Sequence, residues 1–106
     1  MFGRQVTIKL KPDKVTELIR ISNSEVIAIL RGQKGFRDET TLIATERAEA
    51  VTNSFWDTAA DAEAYSRNGY PQVLTALASV IEGTPTVKTF DLASATFHGD
   101  VAGTLS

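Results

Sequence analysis

The sequence contains no cysteine, and this absence excludes disulfide bonds, thiolate metal sites and cysteine nucleophiles. It contains a single histidine, which excludes a metal site built from several imidazoles. No apolar run comes near the roughly 20 residues that cross a bilayer, and the N-terminus lacks the uninterrupted apolar core of a signal peptide. We therefore expect a cytoplasmic protein that holds no metal and does not associate with membranes.

An excess of positive charge is also lacking. The chain carries 11 Lys and Arg against 13 Asp and Glu, a formal net charge of −2, so it offers no electrostatic case for nucleic-acid binding. Hydrophobic residues make up 42% and charged residues 23%, an ordinary globular composition. A length of 106 residues predicts one domain spanning 1–106, with a core of about 4–98 and a short C-terminal tail at 99–106.

Hydrophobic periodicity predicts the order β-α-β-β-α-β. Strand patterns occupy four segments, residues 2–10, 36–45, 48–56 and 86–97. The first helix is expected to have about 17 residues, with Asp13 as its N-cap. The second begins with a capping box at Thr58, restarts after Gly69 and stops at Gly83, before a loop at Thr84 and Pro85.

This order predicts an α+β, ferredoxin-like fold, in which two helices cover one face of a four-stranded antiparallel sheet. The uncovered face should be polar if it meets water, yet the strands carry apolar residues on both faces. Val51 and Phe55 oppose Trp56, and Leu42 opposes Ile43. Either these side chains are scattered exposed residues, or a second copy of the chain stacks on the open face.

Two passages resemble the antibiotic biosynthesis monooxygenase (ABM) domain family. One is NSFWDTAADAEAYS, an apolar strand ending in Trp56, a small or acidic cap and an Ala/Glu-rich helix with Tyr65. The other is VTIKLKPDKVTEL, a strand followed by Pro-Asp and a helix. The resemblance covers about residues 4 to 98, and it implies a homodimeric α+β barrel in which two sheets face each other. Some members oxidise polycyclic aromatic substrates with dioxygen and no metal or flavin, others degrade haem, and many have no assigned reaction.

The resemblance implies a pocket between sheet and helices with Trp56 as one wall. The alternative is a core aromatic that anchors the second helix. An Asn near the Trp binds the polar edge of the substrate in these monooxygenases. Asn53, however, lies three residues before Trp56 and therefore on the opposite strand face, where a bond to backbone or to a partner subunit is the other interpretation.

Three further side chains are candidates for binding a small aromatic molecule. Tyr65 and Tyr70 have phenols suited to a quinone or phenol oxygen, although a buried ring with its hydroxyl in water is the simpler interpretation. Arg4 is expected to stabilise an anion if it reaches the pocket mouth. His98 has the chemistry of a general base, but its expected position on or just past the last strand argues against that role. Haem chemistry is not expected, because residues 59–82 contain no His and the first strand no Asn.

The expected function is a homodimeric monooxygenase without cofactor, acting on a small aromatic or polyketide-like molecule. The rival is a non-catalytic ligand-binding or structural dimer of the same fold, favoured by the scarcity of ionisable groups at the predicted pocket.

Overall fold

The computed structural model describes residues 1–94, which form a four-stranded antiparallel sheet with helices on one face. The strands are β1 (Phe2–Leu10), β2 (Phe36–Ala44), β3 (Glu49–Trp56) and β4 (Ile81–Asp91). The helices are α1 (Val15–Ile21), α2 (Ile27–Arg31), α3 (Ala59–Asn68) and α4 (Tyr70–Leu77). A π-helical turn (Ser22–Val26) joins α1 to α2, and a 3₁₀ turn (Thr45–Arg47) joins β2 to β3. The predicted ferredoxin-like order is confirmed. His98, the end of the predicted last strand and the tail at 99–106 lie outside the described residues.

The strands lie in the order β2-β3-β1-β4, which places β1 and β3 at the centre of the sheet. The alternation predicted for β1 is confirmed, since Val6, Ile8 and Leu10 are buried beneath the helices. Paired strands present paired residues on the same face. The helix-covered face therefore carries the buried core, and the open face carries Gln5, Thr7 and their cross-strand neighbours.

The first helical segment has the predicted extent but not the predicted regularity. The turn at Ser22–Val26 is π-helical, a form that often occurs at functional sites. Asp13 is not the N-cap; it has a φ of 61°, and Lys14 occupies the cap position without a side-chain bond. The left-handed backbone of Asp13 lets the chain reverse direction after β1. Asp tolerates this conformation better than most residues.

The predicted start of the last strand was wrong. The second helical region ends at Leu77, and β4 begins at Ile81, because Ile81 pairs with Leu10 and the Lys11 amide donates to the Val80 carbonyl at 2.9 Å. Gly83, expected to stop the helix, has a φ of 76° beside a register shift in the β1–β4 ladder. Thr84 and Pro85 therefore belong to an irregular edge strand. A proline is tolerated there, because an edge strand does not need every backbone N–H for pairing.

Thr58 is the N-cap of α3, and one of the two bonds of the predicted capping box is present. Thr58 accepts a hydrogen bond from the Asp61 amide at 3.1 Å, which satisfies one of the free donors at the start of the helix. Gly69 separates α3 from α4, and a β-carbon there would lie 2.7 Å from the Tyr65 ring. The break between the helices thus lets the backbone pass close to Tyr65, which holds that ring against the sheet.

Candidate functional site

A partly enclosed, mostly apolar cavity lies between the sheet and the helices, and we call it the inner cavity. Its volume is about 40 Å³. Its polar lining comes from Arg4, Glu39, Tyr65 and Tyr70, with smaller contributions from Ser22, Thr52 and Ser54. The apolar lining includes Val6, Ile8, Leu18, Val26, Val73 and Leu77. At roughly 10–15 Å³ for each water, the cavity has room for about three water molecules.

Arg4 is the most unusual residue of the inner cavity. It lies on the helix side of β1 and is only 4% exposed. Its guanidinium carbon lies 4.0 Å from the centre of the Tyr70 ring and 5.2 Å from that of Tyr65, so two aromatic faces stabilise the cation. Within residues 1–94, Arg4 forms no salt bridge with a carboxylate. A buried cation without an anionic partner is costly, and a bound anion would complete the site.

Both tyrosines retain their phenolic protons over the physiological range. Burial raises the pKa of Tyr65 to about 12, against smaller opposing effects from the Arg4 cation. Burial also raises the pKa of Tyr70, with Arg4 again acting in the opposite direction. The two phenols are therefore hydrogen-bond donors at neutral pH and unsuited to accept a proton.

Trp56 lies behind the inner cavity and does not line it. It is fully buried, stacks on Tyr65 with ring centres 4.8 Å apart and meets Phe36 edge-on at 5.5 Å. Its indole N–H donates to the Ser54 hydroxyl at 2.9 Å. The expectation that Trp56 forms a pocket wall is thus corrected, because Tyr65 and Ser54 stand between the indole and the cavity. Trp56 instead orients two residues that do line it.

Glu39 is a cavity residue that the sequence analysis missed. It was included in the polar start of a strand, but β2 pairs Glu39 with Ser54, which points towards the helices. Burial raises the pKa of the Glu39 carboxyl, while a hydrogen bond from the Thr41 hydroxyl at 2.8 Å acts in the opposite direction. The sequence contains one signal for this position, the alternation of side chains along a strand. Glu39 and Thr41 share a strand face with Ile43, which points inward.

Comparison with known proteins identifies the fold. No protein-family model and no curated protein matches the sequence. The solved structures do: the NE2512 protein of unknown function from Nitrosomonas europaea superposes with a TM-score of 0.76 at 15% identity, over 92% of this chain and 93% of the other. A monooxygenase from the gene ActVA-Orf6 of Streptomyces coelicolor, in complex with nanaomycin D, gives 0.73 at 19%, over 92% and 91%. SnoaB, a cofactor-independent oxygenase from Streptomyces nogalater, gives 0.69 at 17%, over 89% and 94%.

The chain has the antibiotic biosynthesis monooxygenase fold, which solved structures of that name share. At these identities the likeness concerns the backbone, so the chemistry has to be argued from this chain's own side chains.

Asn53 lies on the face of the ABM fold opposite the inner cavity. Its side-chain oxygen accepts a bond from Gln5 at 3.1 Å, and its amide nitrogen donates to the Thr40 hydroxyl at 3.2 Å. It lines a hollow of about 160 Å³ on the open sheet face, together with Phe55 and Phe90. The structure therefore brings the side chains of Arg4, Tyr65 and Tyr70 together and places the Asn53 side chain on the other face of the sheet, as the strand alternation predicted.

This chain has a second hollow, the outer groove, which adjoins the inner cavity at Arg4. It runs between α3 and the β1–β4 edge, has a volume of about 240 Å³ and is lined in part by Phe2, Ala62 and Val87. Arg4 borders both spaces, so its side chain forms part of the partition between them.

Across residues 1–94, no helix is long and apolar enough to cross a bilayer. The same residues contain no group of three or more His, Asp or Glu side chains arranged to hold a metal ion.

Proposed function

We propose that this protein is a cofactor-independent monooxygenase that binds a small, flat aromatic or polyketide-like molecule in the inner cavity. The observation that carries the proposal is Arg4: a buried cation without a carboxylate partner among residues 1–94, at the edge of an apolar cavity. An enolate or phenolate oxygen is the complementary ligand group. The name of SnoaB, an oxygenase of this fold, supports the same reaction class.

The proposed chemistry asks the protein to stabilise an anion and exclude water. The substrate loses a proton, and its carbanion supplies the electrons that reduce dioxygen. For a methylene substrate, one oxygen atom becomes the new carbonyl, and the other leaves as water with the two methylene hydrogens. Arg4 stabilises the negative oxygen, and the phenols of Tyr65 and Tyr70 donate hydrogen bonds beside it. The apolar lining keeps these interactions strong by holding bulk water away.

A substrate has to widen the inner cavity. A volume of about 40 Å³ is well below the roughly 150 Å³ that accepts benzene in an apolar protein cavity. The outer groove, on the other side of Arg4, provides about 240 Å³. A modest displacement of the Arg4 side chain towards a ligand anion would join the two spaces, so the aromatic rings and the cation would rearrange together.

Oxygen consumption tests the proposed reaction. Dithranol, an anthrone whose methylene group yields a conjugated carbanion, serves as the probe. We expect the wild-type protein to accelerate dioxygen uptake over buffer after treatment with a chelator, and Arg4→Met to lose most of that acceleration. Conversion of dithranol to the anthraquinone is followed by mass spectrometry in isotopically labelled dioxygen. Uptake equal to buffer, or label that does not enter the product, would contradict the monooxygenase function.

We also propose that two copies pair through the open sheet face. This face exposes Leu42 (61%) and Phe90 (52%), and Val51 and Phe55 are only half-buried. Together they form an apolar surface interrupted by the Gln5–Asn53–Thr40 hydrogen bonds. Exposed apolar surface of this kind is typical of an interface, where its burial stabilises association.

Sedimentation of matched variants tests the dimer. We expect the wild type to sediment as a dimer at micromolar concentration and Val51→Asp to be monomeric, because an unpaired buried carboxylate costs several kcal/mol. Val87→Asp is the control, since Val87 is also partly exposed but lies on the helix side of the sheet, in the outer groove. A monomeric wild type, or equal effects of the two substitutions, would refute the proposed interface.

A second candidate function is a non-catalytic ligand-binding or structural dimer of the same fold. The small volume of the inner cavity and the packing of Trp56 between Phe36 and Tyr65 favour it. Binding of an aromatic anion without any acceleration of oxygen uptake is the result that this candidate predicts.

A further inference from the structure

The register of three strands places opposite charges at two ends of one rung of the sheet. Glu39 on β2 pairs with Ser54 on β3, and Ser54 pairs with Arg4 on β1. All three residues line the inner cavity. Since neighbouring strands lie about 4.8 Å apart, the backbones of Glu39 and Arg4 are separated by roughly 10 Å. The two charged groups do not form a salt bridge with each other.

The residue between the two charges is small and held in place. The Ser54 hydroxyl accepts the Trp56 indole N–H at 2.9 Å and contacts the Arg4 carbonyl at 3.5 Å. The Tyr65 ring, stacked on Trp56, lines the same cavity. Its centre lies 5.2 Å from the guanidinium carbon of Arg4, and Glu39 borders the same space. The cavity is therefore a slot with a cation at one end and a carboxylate at the other.

We infer that Glu39 is the proton acceptor of this site and that its ligand is a flat conjugated acid, such as a hydroxyaryl ketone or hydroxyquinone. This inference rests on the proposed function. The ligand's O–H or C–H bond breaks at the Glu39 end, and the proton forms a new O–H bond with the carboxylate. The electron pair stays on the ligand and delocalises through the rings, so negative charge collects on the oxygen at the Arg4 end. No oxidant takes part in this step.

Other residues of the inner cavity are poorly suited to take the proton. Glu39 carries the one carboxylate among the described residues that line it. Tyr65 and Tyr70 hold their own protons, because burial raises the pKa of both. The surroundings of Glu39 also increase its basicity: burial and the neighbouring Asp38 raise the pKa of its carboxyl, against the Thr41 hydrogen bond. Because Glu39 lies on the edge strand β2 and is only half-buried, it can return the proton to solvent.

The test measures how fast the protein removes a proton from dithranol, whose acidic methylene group exchanges its hydrogen for deuterium in heavy water. The exchange is followed by mass spectrometry under argon, and binding is followed independently by tryptophan fluorescence. We expect the wild type to accelerate the exchange over buffer. Glu39→Gln should bind dithranol but exchange it about tenfold or more slowly, a change of about 1.4 kcal/mol in the activation free energy. Glu39→Asp, which keeps a carboxylate, should restore part of the rate.

Glu17→Gln is the control, since Glu17 is an exposed helix residue paired with Arg20. It should leave the rate of exchange unchanged. Exchange by the wild type no faster than in buffer, or an unchanged rate in Glu39→Gln, would overturn the inference. The experiment contains no oxidation step, so a negative oxygen-uptake result with intact proton transfer would refute the monooxygenase function and leave the role of Glu39 standing.

A stability measurement separates proton transfer from a structural role of Glu39. A carboxyl whose pKa is higher in the folded than in the unfolded chain makes stability fall as the pH rises through that range. Glu39→Gln should therefore have a higher urea midpoint than the wild type at neutral pH, and the gap should close below the ordinary carboxyl pKa of 4.5. A lower midpoint at neutral pH would mean that the carboxylate is needed for folding, which contradicts the inference.

Discussion

Replacing Trp56 with alanine is expected to lower the free energy of unfolding by about 3–5 kcal/mol, the range found for large aromatic residues removed from protein cores. The indole is fully buried, stacks on Tyr65 at 4.8 Å and meets Phe36 at 5.5 Å. Its removal leaves a void on the helix side of β3. It also removes the indole N–H that donates a hydrogen bond to the Ser54 hydroxyl. Urea unfolding monitored by circular dichroism measures the loss without depending on tryptophan fluorescence.

Trp56→Phe should cost less, about 1–3 kcal/mol, because the phenyl ring fills part of the void but makes no hydrogen bond. Ile19→Ala provides the control: Ile19 is an apolar residue of α1 with much of its surface already in water, so its truncation should cost well under 1 kcal/mol. A loss below about 1 kcal/mol for Trp56→Ala would contradict the packed position of the indole and would return Trp56 to the lining of an open pocket.

Arg4→Met is expected to weaken the binding of an aromatic anion by roughly 10- to 150-fold, which corresponds to the 1.5–3 kcal/mol of a hydrogen bond to a charged group. Lawsone, a hydroxynaphthoquinone ionised at neutral pH, is the probe, and its methyl ether is the uncharged control. Methionine keeps most of the apolar stem of arginine, so the change isolates the guanidinium. Arg4→Lys should bind with intermediate affinity, because ammonium lacks the planar fork that matches an oxyanion pair.

The same substitution should not destabilise the protein. Arg4 is buried and has no carboxylate partner within residues 1–94, so its removal relieves a desolvation cost instead of breaking a salt bridge. We expect the urea midpoint of Arg4→Met to equal or exceed that of the wild type. Arg20→Met, at an exposed helix position, should change neither binding nor stability by more than a few tenths of a kcal/mol. Equal affinities of wild type and Arg4→Met for lawsone would contradict the anion site.

Local patterns predicted those parts of the fold that depend on neighbouring residues. The alternation of β1, the two faces of β3 and the Thr58 cap all follow from spacings of two to four residues. The start of β4 does not. Gly83 and Pro85 are signals of a turn, yet here they lie in an edge strand, because pairing of Ile81 with Leu10 outweighs their local preference. That pairing joins residues about 70 positions apart and produces no periodic pattern in the sequence.

The candidate site could be predicted only in part for the same reason. Tyr65 and Tyr70 can be predicted as candidates because their phenols and their place after Trp56 are visible in the sequence. Sequence spacing leaves Trp56 open between a pocket wall and a core aromatic; the structure shows the core aromatic, because Tyr65 covers the indole. Glu39 was missed because its significance depends on the register of β2 against β3 and of β3 against β1. A strand of mixed polar residues gives no sign of which charge will lie opposite Arg4.

Nuclear magnetic resonance of the labelled protein shows whether the inner cavity binds a flat aromatic anion through Arg4. Lawsone is titrated while the side-chain N–H of Arg4 and the methyl groups of Val73 and Leu77 are observed. We expect these resonances to move together and saturate with one affinity, and the methyl ether to leave the Arg4 signal in place. Shifts confined to open-face residues such as Phe55 and Asn53, with Arg4 unmoved, would contradict this binding.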